Sequence, residues 1–151
     1  MVDPMFNALS LLTLSALAVG QTAPSLTVTD RLGQVHPLRP APRGLTLLNF
    51  WATWCPPCVG ELPRLMAAQR PDKLRVVALN VDQTPASALK FWKENALGAL
   101  PLVFVGSGDL SGWPLPGLPT SVLLDASGRV RALKFGPVSA GELAGWAGGK
   151  W

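Results

Sequence analysis

The stretch Leu45-Thr-Leu-Leu-Asn-Phe-Trp-Ala-Thr-Trp-Cys-Pro-Pro-Cys58 decides the fold. Its first half, Leu45–Trp51, is an apolar run with two polar interruptions, which predicts a central strand buried on both faces. Its second half carries the chain's only two cysteines. A helix that begins there favours the thiolate of Cys55 and places Cys58 one turn away, so the spacing predicts a redox-active pair.

Two other uses of the cysteine pair are disfavoured. The chain has 151 residues, of which 48% are hydrophobic, so it can build a core without a stabilising disulfide. A two-residue gap closes only a tiny loop, which gains little from cross-linking. Structural zinc requires four nitrogen or sulfur ligands, and His36 is the only histidine. The sequence therefore predicts no metal site.

Strand and helix patterns alternate on both sides of this stretch and predict a single α/β domain. The order is a β-hairpin followed by β-α-β-α-β-β-α, which implies a mixed central sheet with helices on both faces. Thr84 is a predicted N-cap, with Pro85 at the first helical position. The predicted elements are a hairpin at 26–38, strands at 45–51, 74–81, 102–105, 121–124 and 129–135, and helices at 59–69, 85–96 and 140–147.

The N-terminal segment 1–18 is treated separately from the domain at 19–151. Phe6–Ala18 is apolar, is short for a bilayer span, and ends in small residues like those of a signal cleavage site. No Lys or Arg precedes it. Two interpretations stay open, a signal or anchor remnant and a helix that packs a leucine face onto the domain.

The formal net charge of +4 comes from basic residues that are spread along the sequence without a dense run. No nucleic-acid-binding motif accompanies them, so no nucleic-acid partner is expected. A solvated basic surface is the preferred interpretation, and attraction to anionic membranes or acidic partners stays open. Most of the basic residues are Arg43, Arg64, Arg70, Lys73, Arg75, Lys90, Lys93, Arg129, Arg131 and Lys134.

The segment Leu48–Cys58, followed by Glu61 and Pro63, resembles the TlpA-like branch of the thioredoxin superfamily. The members of this branch are extracytoplasmic thiol–disulfide oxidoreductases. Val19–Pro24 and Gly117–Asp125 extend the resemblance. It implies a thioredoxin-like fold with an N-terminal β-hairpin. Many such proteins carry a helix where this chain has residues 106–117, but the Gly and Pro content here predicts an irregular segment.

The resemblance implies that Cys55 attacks a substrate disulfide and that Cys58 resolves the mixed disulfide. Pro56 and Pro57 lack the N–H groups that would help to hold the Cys55 thiolate, and only the amide of Cys58 remains. A less stabilised thiolate makes the dithiol form less favoured. We therefore expect a reductant, with a potential nearer about −270 mV than about −120 mV.

Glu61 is the candidate proton acceptor. It lies three residues after Cys58 and matches a glutamate that the TlpA-like family keeps near its cysteines; a carboxylate there can move a proton during exchange. The alternative is a solvated glutamate on the helix surface. Asn49 stands six residues before Cys55, where thioredoxins proper carry a buried aspartate, and it cannot titrate.

A substrate surface is expected around the cysteines. Pro119 resembles the superfamily's cis-proline, and a cis bond would expose the neighbouring backbone to an extended substrate peptide. Trp54 is a candidate for an apolar rim that receives proteins. The predicted substrate-binding residues are Trp54, Pro56, Pro57, Leu118, Pro119 and Thr120.

The predicted activity is reduction of disulfides in extracytoplasmic proteins, with apocytochrome c among the candidate substrates. No cofactor is expected beyond the Cys55–Cys58 disulfide. The resemblance implies a membrane thiol transporter as electron donor, a periplasmic or cell-envelope location, and a chain tethered through its N-terminal segment if that segment is an anchor; a monomer is expected. A disulfide oxidase or isomerase of secreted proteins, and a non-catalytic peptide-binding module, are the alternatives.

Overall fold

Seven strands form one mixed sheet in a computed structural model, which describes residues 17–106, 110–113 and 115–151. The order of the strands across the sheet is β2-β1-β5-β4-β3-β6-β7. The strands are β1 (Thr27–Thr29), β2 (Val35–Pro37), β3 (Leu45–Trp51), β4 (Leu74–Asn80), β5 (Leu102–Phe104), β6 (Thr120–Leu124) and β7 (Val130–Phe135).

The centre of the sheet is parallel and its margins are antiparallel. β3 pairs with β4 along its whole length, from Leu45 opposite Leu74 to Trp51 opposite Asn80, and β4 pairs with β5. β6 runs antiparallel to β3, β7 to β6, and β1 to both β2 and β5. The predicted central strand is confirmed residue for residue, because a continuous apolar run suits a strand covered on both faces.

The described residues form three helices, α1 (Pro56–Ala67), α2 (Pro85–Glu94) and α3 (Ala140–Ala147). Ser139 caps α3 in a complete capping box with Glu142. Thr84 occupies the N-cap position of α2, as predicted, but its side chain makes no capping hydrogen bond. The helix α1 begins three residues earlier than the apolar spacing predicts, since prolines are tolerated in a first turn.

Alternate residues of each central strand feed two apolar clusters on opposite faces of the sheet. The helix-side cluster includes Leu47 and Trp51 of β3, and the loop-side cluster includes Leu48 and Phe50. All three described helices pack into the helix-side cluster, through Leu62, Leu65, Ala88, Trp92, Leu143 and Trp146. The loop-side cluster is closed by residues outside the helices, among them Leu26, Leu38, Leu110 and Trp113.

The thioredoxin-like α/β fold is confirmed, but the described helices lie on one face rather than on both. The connections β3-α1-β4 and β4-α2-β5 step in the same direction across the sheet. Right-handed crossovers then put both helices on the same side. On the other face Leu110 and Trp113 cover the sheet, and the described residues 110–113 and 115–117 form no α-helix. The rest of the segment that is predicted to be irregular includes residues 107–109 and 114, which lie outside the described residues.

The predicted N-terminal segment 1–18 lies outside the described residues except for Leu17 and Ala18. Leu17 packs against the loop-side cluster. No helix in the described part of the chain has the length and apolar character to cross a membrane.

Candidate active site

Cys55 and Cys58 lie at the junction between the end of β3 and the start of α1. Cys55 is the N-cap of α1, and the backbone N–H of Cys58 donates to Cys55 Sγ across 3.4 Å. The two residues are disulfide-bonded, with their Cα atoms 5.3 Å apart. Cys55 keeps 6% of its surface exposed and Cys58 none, so Cys55 is the more exposed of the pair, as predicted.

Pro56 and Pro57 occupy the first helical positions and are both exposed. Neither has an N–H group, so neither can donate to the sulfur of Cys55. The amide of Cys58 is the first in α1 that can do so, and it makes that contact. The helix N-terminus therefore stabilises a thiolate at Cys55 with two fewer amide donors than a first turn without prolines would supply.

Glu61 is fully buried on the inner face of α1, which excludes the solvated alternative. Its Oε1 accepts from Asn49 Nδ2 at 2.6 Å, and its Oε2 accepts from the backbone N–H of Val138 at 2.8 Å. Burial raises the pKa of the carboxyl group above its ordinary value, against the opposing effects of these hydrogen bonds and of the charge on Arg64. A carboxyl group with a raised pKa is suited to proton transfer near neutral pH.

Asn49 connects Glu61 to the next strand. Besides Glu61, its Nδ2 donates to Ser121 Oγ on β6 at 3.0 Å. Its Oδ1 is buried and has no hydrogen-bond partner among the described residues. An amide can present NH₂ to an ionised carboxylate or, after rotation by a half-turn, its oxygen to a protonated one. Asn49 can therefore partner Glu61 in either protonation state.

Sequence reasoning missed three contributors to this site. Ser121 and Val138 complete the surroundings of Asn49 and Glu61 from β6 and from the β7–α3 connection. Arg64, one turn after Glu61, donates from Nε to the carbonyl of Val138 at 2.6 Å. A buried serine on a strand and a backbone amide 77 residues away carry no local signal, so only long-range packing reveals them.

Asp82 holds the loop that leads into Cys55. Its carboxylate accepts a hydrogen bond from the backbone N–H of Thr53, whose nitrogen lies 3.0 Å from Oδ1 and 3.3 Å from Oδ2. The carboxylate also accepts from Asn80 Nδ2. The loops after β3 and β4 are thereby joined at the edge of the sheet that carries the cysteines. This contact was also not predicted, although aspartate directly after a strand is a common loop anchor.

The Leu118–Pro119 peptide bond is cis, as predicted. It precedes β6, whose Thr120 pairs with Phe50 near the end of β3, so Pro119 lies at the same edge of the sheet as the cysteines. The carbonyl of Pro119 accepts from Gly136, whereas Leu118 makes no backbone hydrogen bond to any described residue. The backbone of Leu118 is therefore available to an extended peptide.

The predicted substrate-binding residues divide into two groups. Trp54 is 70% exposed, Pro56 and Pro57 are exposed, and Leu118 is half-buried, so these four can form an apolar rim. Pro119 and Thr120 are buried. The hydroxyl of Thr120 donates to the carbonyl of Gly117 at 2.7 Å, so its side chain supports the cis-proline turn rather than facing a substrate.

The chain is similar in sequence and in fold to known proteins. The family model described as Redoxin matches residues 18–145. The chain is 32% identical over 133 residues to the thiol-disulfide oxidoreductase ResA of Geobacillus kaustophilus, covering 85% of this chain and 76% of that protein. It is 29% identical to the crystal structure of StoA from Bacillus subtilis, with a TM-score of 0.68 over 82% of this chain and 96% of that one.

A solution structure of a thiol:disulfide interchange protein from Bacteroides sp. shares the fold. Its TM-score is 0.70 at 22% identity, over 78% of this chain and 82% of that one.

Proposed function

Because this chain belongs to the redoxin family and is a TlpA-like thiol–disulfide oxidoreductase of the thioredoxin superfamily, we propose that it acts mainly as a reductant of extracytoplasmic protein disulfides. The thiol–disulfide exchange itself uses Cys55 and Cys58. The single observation that carries the proposed direction is that the first amide available to Cys55 in α1 is that of Cys58.

The exchange balances as a two-electron transfer. The Cys55 thiolate attacks one sulfur of the substrate disulfide, and the other substrate sulfur leaves as a thiolate. Cys58 then loses its proton and attacks Cys55 Sγ, which breaks the mixed disulfide and releases the second substrate thiolate. The enzyme ends with the Cys55–Cys58 disulfide, and the substrate gains both electrons.

The prolines favour this direction over oxidation. A strong oxidant needs a reduced form in which the thiolate of the first cysteine is well stabilised. Pro56 and Pro57 take two donors away from Cys55, so its thiolate is stabilised less and the dithiol gives up its electrons more readily. We expect a potential nearer about −270 mV than about −120 mV.

Glu61 is the proposed acceptor of the proton that Cys58 releases. It follows Cys58 by one helical turn, it is buried, and its pKa is raised by that burial. Asn49 can follow the change of charge by rotating its amide, since its Oδ1 has no other partner among the described residues. The carboxyl group can then return the proton when the disulfide is reduced again.

An extended substrate peptide would pair with the free backbone of Leu118, beside the cis-proline, and lay apolar side chains against Trp54. Trp54, Pro56 and Pro57 are exposed here, and an exposed apolar rim suits a protein substrate. A disulfide of apocytochrome c is a candidate target. A membrane thiol transporter is the proposed electron donor, the cell envelope the proposed location, and a monomer the proposed state.

The deciding experiment traps the substrate on the enzyme. Cys58→Ser should accumulate a mixed disulfide through Cys55 with extracytoplasmic proteins, because the resolving thiol is missing. The matched control is Cys55→Ser, which keeps one thiol but should trap far less. Equal trapping by both variants would contradict the assigned roles.

The redox potential, measured by equilibration with glutathione, distinguishes a reductant from an oxidase or isomerase. A value above about −150 mV would assign the protein to oxidation instead. Reduction of insulin that is lost in Cys55→Ser would exclude a non-catalytic peptide-binding module.

A further inference from the structure

A basic groove of about 320 Å³ lies between the loop before β3 and the α1–β4 connection. Four exposed cations line it, Arg43, Arg70, Lys73 and Arg75, together with one carboxylate, Asp72. Four positive charges and one negative charge leave a local charge of +3, compared with +4 for the whole chain. Three of these cations lie within residues 70–75, and the fold places Arg43 beside them.

These cations are not neutralised within the described part of the chain. None of the four forms an ion pair with a carboxylate there. Arg70 donates to the carbonyls of Ala67 and Gln69, and Arg75 donates to the carbonyl of Arg39, so both keep their full charge. A surface of this kind attracts anions over the range of the Debye length, about 8 Å at physiological ionic strength.

The groove lies at the opposite end of the molecule from the cysteines. Leu74, in the groove wall, pairs with Leu45 at the start of β3, whereas Cys55 follows the end of β3. Seven residues of strand separate the two ends by about 20 Å. Anything bound at the groove leaves the redox site free to meet a protein substrate.

An exposed tryptophan adjoins the groove. Trp151 is 57% exposed and lines a neighbouring cavity together with Asp72 and Lys73, which also line the groove. Tryptophan is enriched at the boundary between membrane and water, where its apolar ring and polar N–H face different surroundings. Cations beside an exposed tryptophan suit a lipid surface better than an acidic protein or a small anion.

The N-terminal part of the described chain lies at this same end. Gly20 and Gln21 bond to the backbone of Val130, and the carbonyl of Gly20 accepts from Arg129. The turn just before Arg129 follows Leu124, which pairs with Thr46 at the start of β3. Gly20 and Gln21 therefore lie at the end of the sheet where the groove also lies.

We propose that the basic groove and Trp151 form a docking surface for an anionic lipid bilayer, which holds the protein with Cys55 turned away from the membrane. This occupant is favoured by the positive charge of the groove and by the exposed tryptophan beside it. The surface goes beyond the proposed reductase function and does not depend on it, since reduction of insulin can be measured without lipid.

The first test uses the full chain and measures its partition onto vesicles of phosphatidylcholine, with and without phosphatidylglycerol. Vesicles without the anionic lipid report what the apolar N-terminal stretch contributes alone. Arg43→Gln/Lys73→Gln/Arg75→Gln should reduce the preference for anionic vesicles by roughly 100-fold, from the attraction expected for three cations. The preference should also weaken as salt is raised.

The matched control is Arg31→Gln/Lys90→Gln/Lys93→Gln, which removes three exposed cations elsewhere, so that each variant lowers the formal charge from +4 to +1. It should keep most of the preference. Equal losses in both variants would overturn the proposal, because net charge alone would then explain binding. Binding of poly-glutamate through the groove, without any preference for anionic vesicles, would instead assign the surface to an acidic protein. Insulin reduction should be unchanged in both variants.

The second test measures which end of the protein faces the membrane. Brominated phospholipids quench tryptophan fluorescence at short range, and Trp151 and Trp54 are exposed at opposite ends of the molecule. Quenching on anionic vesicles should fall in Trp151→Phe and persist in Trp54→Phe. A larger fall in Trp54→Phe would place the active-site end on the membrane and overturn the proposal.

Discussion

At Glu61, burial and hydrogen bonding act in opposite directions on one carboxyl group. Full burial disfavours the ionised form, while Asn49 and the amide of Val138 donate hydrogen bonds that favour it. Burial has the larger effect, so the pKa is raised. The same carboxyl group that could move a proton during exchange therefore also couples folding stability to pH.

Glu61→Gln should change the pH dependence of stability in a defined direction. Because the folded-state pKa of Glu61 lies above the ordinary glutamate value of 4.5, the folded state keeps a proton that the unfolded chain releases. The stabilisation from this proton is complete below the unfolded pKa and is lost as pH rises through the folded pKa. Denaturant unfolding of the disulfide-bonded forms should show wild type losing stability relative to Glu61→Gln over that interval.

If the stability of wild type relative to Glu61→Gln stayed constant or increased with pH, this assignment would be contradicted. Exchange kinetics provide the functional readout on the same variant, since a glutamine cannot accept a proton. Glu61→Gln should slow the resolution step near neutral pH by about 100-fold. Unchanged kinetics would remove Glu61 from the mechanism and leave it a buried structural residue.

Asn49→Asp should move the pH profile of exchange upward. A second carboxyl group would then stand where an amide nitrogen now lies 2.6 Å from Glu61, and two such groups cannot both ionise readily. We expect the upper apparent pKa of the pair to rise by about 1 unit or more, seen in the pH dependence of insulin reduction. Ser121→Ala removes the other partner of Asn49 without adding charge, so its profile should stay close to that of wild type.

At the scale of elements, the start of each helix shows how local chemistry is used differently. α1 begins at Cys55, which is followed by two prolines. The first amide of its first turn, that of Cys58, donates to Cys55 Sγ. α3 begins at Ser139. The Ser139 hydroxyl accepts from the backbone N–H of Glu142, and the Glu142 carboxylate accepts from the backbone N–H of Ser139. α2 begins at Thr84, which makes no capping hydrogen bond with its side chain.

Ser139→Ala should therefore cost more stability than Thr84→Ala, although both positions are helix N-caps. Loss of the capping hydrogen bond to Glu142 should lower the free energy of unfolding by about 1 kcal/mol. For a chain of this size that corresponds to a fall in Tm of about 2–4 °C. Thr84→Ala should stay within about 0.5 kcal/mol. Equal losses measured by calorimetry would show that the two caps are equivalent after all.

At the scale of the whole molecule, the two faces of the sheet are covered by different means. The described helices all pack on the face that also carries Asn49 and Glu61, which gives the redox site a rigid support. The other face depends on single large side chains from irregular segments. Trp113 is 2% exposed and donates from Nε1 to the carbonyl of Ser25. The centroids of the Trp113 and Phe50 rings lie 5.5 Å apart, and the two rings are tilted with respect to each other.

Trp113→Ala should be among the most destabilising single substitutions, although the residue lies outside the regular helices and strands. Removing a buried indole from the loop-side cluster should cost about 3–5 kcal/mol, measured by denaturant unfolding. The matched control is Trp151→Ala, which removes an exposed tryptophan and should change stability by at most about 0.5 kcal/mol. A small effect at Trp113 would mean that this face of the sheet does not need its irregular cover.

The opposite ends of the molecule also carry different chemistry. The cysteines, the cis-proline and Trp54 lie at the end where β3 finishes, and the basic groove lies at the end where β3 begins. The length of the central strands therefore sets the separation between substrate exchange and the proposed lipid contact.

Sequence alone determined the central strand, the redox pair, the two prolines without N–H groups and, to within three residues, the start of the helix, because hydrophobic patterning and the missing N–H of proline are properties of neighbouring residues. Only the tertiary structure decided that Glu61 is buried, since its partners Asn49 and Val138 are 12 and 77 residues away. It also placed the described helices on one face, through the direction of two crossovers. The basic groove has a mixed origin: Arg70, Lys73 and Arg75 are close in sequence, and only long-range packing adds Arg43 to them.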